Sequence, residues 1–173
     1  MSPDNLLVYV TLDDGRLEVL SAFDGARRWG YKPQSIDAAA GWTVRCQSGV
    51  YFGKLPTGMY AIYAVIDVAP SGSLMDDQSR IIAVSHPNNA LMWESESIPG
   101  QIQGTPLITY SAASPGKYIM FTHNQKNVSS GSTYGTFSMV QADANGTLIF
   151  SEDAGDSRLY VFFSFFPSIF ESY

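Results

Sequence analysis

Apolar and polar residues alternate along this chain with a period of two, and helical spacing is almost absent. The runs "LLVYVTL" (6–12), "RLEVLSA" (16–22) and "ARRWGY" (26–31) are separated by Asp13-Asp14-Gly15 and Asp24-Gly25. Asp-Gly supplies the positive φ that a tight hairpin needs, so this stretch predicts three antiparallel strands. A second group follows: "GVYFG" (49–53), "MYAIYAVIDV" (59–68), "RIIAVSH" (80–86) and "ALMWES" (90–95). A third group comprises "GTPLITY" (104–110), "KYIMFTH" (117–123), "GTFSMVQAD" (135–143) and "GTLIFSE" (146–152). The pattern predicts an all-β protein built from antiparallel four-strand meanders.

The groups are related. Laid without a gap over "SRIIAVSHPNNALMW" (79–93), the segment "GRLEVLSAFDGARRW" (15–29) shares an Arg, branched apolar residues, a Ser and a closing Trp. Gly25 precedes Trp29 by four residues, Asn89 precedes Trp93 by four, and Gly146 precedes Phe150 by four. Gly and Asn accept left-handed backbone geometry, so one turn type serves all three units. With one residue inserted near Ala144, Gly135-Thr136-Phe137 falls on Gly15-Arg16-Leu17. The aromatics are spaced by 64 and 57 positions.

A period of this order with four strands per unit is the pattern of β-propeller blades. The expected architecture is one repeat domain over 1–173: a partial blade at 6–31, blades at 45–95 and 104–152, and a tail at 153–173. In this reading Trp29, Trp93 and Phe150 fill the space between neighbouring blades, and Gly15, Gly25, Asn89, Gly135 and Gly146 set the turns. A blade is apolar on both faces, so an incomplete ring exposes apolar surface at each end. It should therefore self-associate, or be completed by a protein partner or further blades.

The segment Val8–Trp29, with its apolar strand, Asp-Gly, Leu-x-x-Leu-x-Ala, turn Gly and following Trp, resembles the repeat of quinoprotein-like propellers. The likeness is partial over Gly135–Phe150 and poor in the middle unit, where His86-Pro87-Asn88-Asn89 stands in place of the Ala-x-x-Gly step. The resemblance implies a partial quinoprotein-like (PQQ-repeat) propeller, a fold used by dehydrogenases, assembly scaffolds and luminal sensors. It carries no function with it. An enzyme of that family would hold pyrroloquinoline quinone beside calcium in a complete ring, and many carry a disulfide of adjacent cysteines. This chain has a single cysteine, Cys46, and no calcium-loop pattern, so the resemblance stops at the repeat.

Composition narrows the field further. The chain is 45% hydrophobic with 15% charged residues, enough for a real core. A net charge of −6 and only ten Lys and Arg argue against nucleic acid, which requires a clustered basic surface. Cys46 reads as a small core residue. His86 and His123 read as strand-end residues, without the partners a metal site needs. The pairs Asp13-Asp14 and Asp76-Asp77 read as solvated turns. No nucleophile elbow, phosphate loop or zinc pattern occurs, so no catalytic, cofactor-binding or metal-binding residue is assigned. Asn127 and Asn145 each open an N-glycosylation sequon, relevant only in a secretory compartment.

The N-terminus lacks the basic and apolar regions of a signal peptide, and the compartment stays open. The apolar run Leu159–Phe170 is too short to span a bilayer, which disfavours membrane insertion. The tail reads either as the first strand of a further blade or as a non-native extension. Long loops at 32–44, 69–79, 97–103 and 124–134 should gather at one end of the meanders, whereas the turns between third and fourth strands are short. The expected function is a non-catalytic interaction scaffold that binds protein through the long-loop face or the open blade ends. The alternatives are a fragment of a PQQ-dependent dehydrogenase, with its quinone and calcium, and the ectodomain of a membrane receptor.

Overall fold

A computed structural model describes residues 1–55, 58–74, 76–102, 104–110, 117–126, 133–141 and 148–153. The described residues form antiparallel sheets and contain no helix. The first sheet has three strands in the order β1 (Leu7–Thr11), β2 (Leu17–Ser21), β3 (Arg27–Tyr31).

The second sheet has six strands: β4 (Thr43–Arg45), β5 (Tyr51–Leu55), β6 (Gly58–Val68), β7 (Gln78–His86), β8 (Leu91–Glu94) and β9 (Ile98–Pro99). β4 and β5 both pair with β6, whereas β8 and β9 both pair with β7. Each edge is thus a strand in two pieces. The short β4 and β9 lie in stretches expected as loop, and three or two residues are too few to display alternation. The third sheet runs β10 (Leu107–Tyr110), β11 (Lys117–Lys126), β12 (Thr133–Gln141), β13 (Leu148–Asp153) in sequence order.

The first two sheets turn alike. In the first, the Ser21 amide donates to the Ala26 carbonyl and the Gly25 amide to the Ser21 carbonyl. In the second, Ser85 donates to Ala90 and Asn89 to Ser85. Each donor and acceptor is displaced by 64 positions, the same offset that aligns the two sequences. Gly25 and Asn89 close these turns with φ of 69° and 52°. The turn is a left-handed closure that Gly adopts without strain and Asn tolerates.

A β-bulge follows each turn, and it recurs in the third sheet. Val19 opposes Trp29 while Leu20 opposes Arg27; Ala83 opposes Trp93 while Val84 opposes Leu91; Met139 opposes Phe150 while Val140 opposes Leu148. Arg28, Met92 and Ile149 are therefore the extra residues. In regular register Trp29 would stand opposite Glu18, on the other face of the sheet. The bulge shifts it by one, and directly opposed residues share a face, so Trp29 joins Val19 and Trp93 joins Ala83.

The second sheet is apolar on both sides. Ala61, Tyr63, Val65, Ile82 and Val84 pack with Tyr9, Leu17 and Val19 of the first sheet, with Trp29 and Tyr31 against them. The alternate residues Tyr60, Ile62, Ala64, Ile81 and Ala83 form a separate cluster with Ile98 and Ile102, bordered by Tyr51 and Trp93. β10 runs beside β5 on this second side, and the Thr105 hydroxyl accepts from the Gly49 amide at 3.1 Å. Cys46 is a buried member of the first cluster, its thiol 3.2 Å from the Ala64 carbonyl.

Nothing crowds the Cβ position at Gly25, so only its positive φ resists a side chain. Gly25→Ala should cost about 1 kcal/mol, and Asn89→Gly, which suits the turn but removes the side-chain acceptor of the Tyr9 hydroxyl, should also destabilise by about 1 kcal/mol, both read from urea unfolding.

Candidate functional site

Two polar clusters mark opposite ends of the seam between the first and second sheets. At the end where the chain crosses from β3 to β4, Gly15 has φ 81° and lies so close to Val44 that a Cβ would collide with it. The crossing segment is thereby pressed onto the β1–β2 turn. Asp14, Lys32, Pro33, Gln34, Trp42 and Val44 line an open groove of about 560 Å³. Gly41 approaches Pro70, which brings the β6–β7 connection to the same end.

Beneath this groove lies a buried ion cluster. Asp67 is fully buried near the end of β6, and Arg80 on β7 is 8% exposed. Arg80 grips Asp67 with two hydrogen bonds, Nε to Oδ2 at 2.7 Å and Nη2 to Oδ1 at 3.0 Å. Its Nη2 also donates to the Gln34 carbonyl at 2.6 Å, and its Nη1 donates to Glu94 on β8. Glu94 accepts in turn from the Tyr31 hydroxyl on β3, and Asp67 accepts from the Ile36 amide at 3.2 Å. One guanidinium thus ties three strands of the second sheet to the crossing segment and, through Glu94, to the first sheet. Burial disfavours the charge on Arg80, but the hydrogen bonds and charges of Asp67 and Glu94 outweigh it and hold its pKa above the ordinary value. Burial, reinforced by Glu94, pushes the Tyr31 hydroxyl upward as well, so it stays a donor.

At the opposite end, the Tyr9 hydroxyl donates to Asn89 Oδ1 and lies 2.9 Å from His86 Nδ1. With that proton committed to Asn89, Tyr9 accepts from Nδ1–H of the imidazole. His86 Nε2 is 3.4 Å from Asp4 Oδ2, and Phe52 meets the rings of Tyr9 and His86 edge-on. Burial, then the Asp4 charge, raises the Tyr9 hydroxyl to about 12. Asp4 is held below its ordinary value first by the Ser2 hydroxyl and then by the Leu6 amide. His86 does end β7, yet it joins the N-terminal segment to the β7–β8 turn.

The structure brings Gly25 with Trp29, and Asn89 with Trp93, into equivalent turn-and-bulge positions, and Phe150 takes the same register. Gly135 opposes Asn124 within β11–β12. Gly146, Asn127, Asn145 and the tail from 154 lie outside the described residues. One expectation is corrected. Asp77 is not a solvated turn residue: it is 1% exposed, accepting from the Ala69 amide at 2.8 Å and from Gln101 at 2.7 Å. Only Asp76 of that pair faces water. Among the described residues no group of three or more His, Cys, Asp or Glu is placed to hold a metal ion.

The ion cluster was missed in the sequence, although a signal existed. Asp67 and Arg80 are the lone charges at the same end of two adjoining apolar runs.

Arg80→Met should destabilise the chain by about 3–5 kcal/mol, because it strands the buried Asp67 carboxylate; chemical denaturation measures this. Asp4 contributes stability that is present above the unfolded carboxyl value of 3.8 and is lost as pH falls through its lower folded value. Asp4→Asn should therefore lower the melting temperature at neutral pH, with the difference from the parent chain vanishing as pH falls below 3.8.

No protein-family model matches the chain, and no curated protein matches its sequence.

Proposed function

We propose that this chain is an arc of quinoprotein-like propeller blades acting as a non-catalytic scaffold, which binds protein through its long-loop face or its open blade ends. The observation that carries the reading is the second sheet, apolar on both faces and flanked on each, combined with a turn and bulge repeated at a fixed offset. A sheet of that kind has no interior of its own and gains one only by stacking.

The arc offers two surfaces. The groove over the ion cluster is lined by Trp42 and Pro33 together with the Asp14–Lys32 ion pair, apolar surface beside charges of both signs. Aromatic side chains on a rigid support are common anchors for protein partners, and the Arg80 cluster supplies the support. The second surface is the outward side of the first sheet, where Val8, Val10 and Leu20 are only partly covered.

A photo-reactive residue placed at Ala38 beside the groove, or at Val8, should capture a protein partner from source-cell extract. The same residue at Phe23, on the short-turn end, should not. Dye reduction dependent on added pyrroloquinoline quinone and calcium would overturn the scaffold reading.

A further inference from the structure

The joints around His86 differ in how many hydrogens they require and how many the ring can supply. Three contacts run in series: Asn89 Oδ1 to the Tyr9 hydroxyl, that hydroxyl to His86 Nδ1 at 2.9 Å, and His86 Nε2 to Asp4 Oδ2 at 3.4 Å. Each needs one hydrogen between its two atoms. Asn89 Oδ1 and the Asp4 carboxylate only accept, so the hydrogens come from Tyr9 and His86. Tyr9 supplies one. A neutral imidazole supplies one more and leaves a joint empty, whereas an imidazolium supplies two and completes the series.

Burial decides which joint a neutral ring gives up. The His86 side chain is 7% exposed and Tyr9 is equally buried, against 40% for the Asp4 side chain. A polar group left unpaired inside the seam carries its full desolvation penalty, while Asp4 can turn to water. The neutral ring therefore keeps its hydrogen on Nδ1, facing Tyr9, and presents a bare Nε2 lone pair to the Asp4 carboxylate. Two acceptors then meet where the charged ring sets a donor against an acceptor. Asp4 carries the connection onward, because its Oδ1 accepts from the Ser2 hydroxyl and from the Leu6 amide at 3.1 Å. One carboxylate thus gathers residues 2–6 and ties them to the β7–β8 turn. It stays ionised wherever an imidazole titrates, since Ser2 and then Leu6 hold its pKa below the ordinary carboxyl value. Other elements also meet the ring: β5 sets Phe52 edge-on to it, Met59 of β6 stands opposite, and Lys54 of β5 occupies the same cross-strand row. Among the described residues, Asp4 is the acid that pairs with it.

We infer that His86 is a proton-operated latch: its imidazolium fastens the N-terminal segment to the β7–β8 turn, and loss of that proton unfastens it. The protonated ring is the form that gains a partner, so the latch is closed in mildly acidic medium. It opens as pH rises through the range in which imidazoles discharge, about 5 to 8. The latch goes beyond the scaffold reading and stands whether or not that reading does.

Nitrogen-15 NMR of the full chain reads the ring directly. At about pH 8 the His86 signals should show hydrogen on Nδ1, and at about pH 5 on both nitrogens. Backbone order parameters of the Asp4, Asn5 and Leu6 amides should fall from about 0.85 at the acidic end toward 0.6 at the alkaline end. Tyr9→Phe removes two joints from the series, so a neutral ring is free to give its hydrogen to Asp4. In that variant the hydrogen should sit on Nε2 at about pH 8, and the three amides should stay ordered at both ends. His123→Gln alters the other histidine of the chain and should leave the parent behaviour intact. Hydrogen on Nε2 at about pH 8 in the parent chain, the result if Asn89 turns its amide nitrogen toward Tyr9, overturns the inference. So do order parameters that are equal at the two ends, or that fall as far in Tyr9→Phe as in the parent.

Discussion

Neighbouring strands that turn apolar side chains to both sides cannot be satisfied by one layer of partners. In β6 and β7 every alternate residue is buried toward the first sheet, and the residues between them are buried away from it. Both sides must be shielded before the sheet is worth forming, so stacking is a condition of folding here. The bulge serves that requirement. By inserting one residue after the tight turn, it sets Trp29 on the side of Val19 in the first sheet and Trp93 on the side of Ala83 in the second, without altering the rest of the strand. Gly25 and Asn89 matter because they aim the returning strand at that bulge.

Apolar contact alone gives little orientation, and the seam between the first and second sheets has polar clusters at both ends. Arg80 with Asp67 and Glu94 fixes the crossing segment at one end; Tyr9, His86, Asn89 and Asp4 fix the N-terminal segment at the other. Directional bonds at two separated points restrict sliding and rotation of one sheet over the other, in the way that buried polar groups can select one arrangement among several.

The strands were legible because alternation survives in a half-buried or sandwiched sheet, and because Asp-Gly marks its turns openly. The recurrence of Trp at a fixed distance from a turn residue was legible too, since it needs only counting. The bulge was not: one extra residue near a strand end leaves composition and local alternation almost unchanged. Asp77 shows a similar limit. Two adjacent acids look alike in sequence, yet the chain direction sends Asp76 to water and Asp77 inward to loop amides. The ion cluster depended on register, since Arg80 stands opposite Val65 and reaches Asp67 only along the diagonal. No spacing within one strand records such a pairing.

The charge buried at the seam gives it an unusual thermal character. Removing ions from water becomes less costly as temperature rises, because their hydration carries a strongly negative entropy. The Arg80 clasp is therefore dearest to maintain in the cold and comparatively cheap in warmth. Apolar packing around it follows a different curve, strengthening from low temperature and then levelling off. Joined in one seam, the two contributions keep the first pair of sheets in fixed alignment on warming, at temperatures where hydrophobic stacking has ceased to gain.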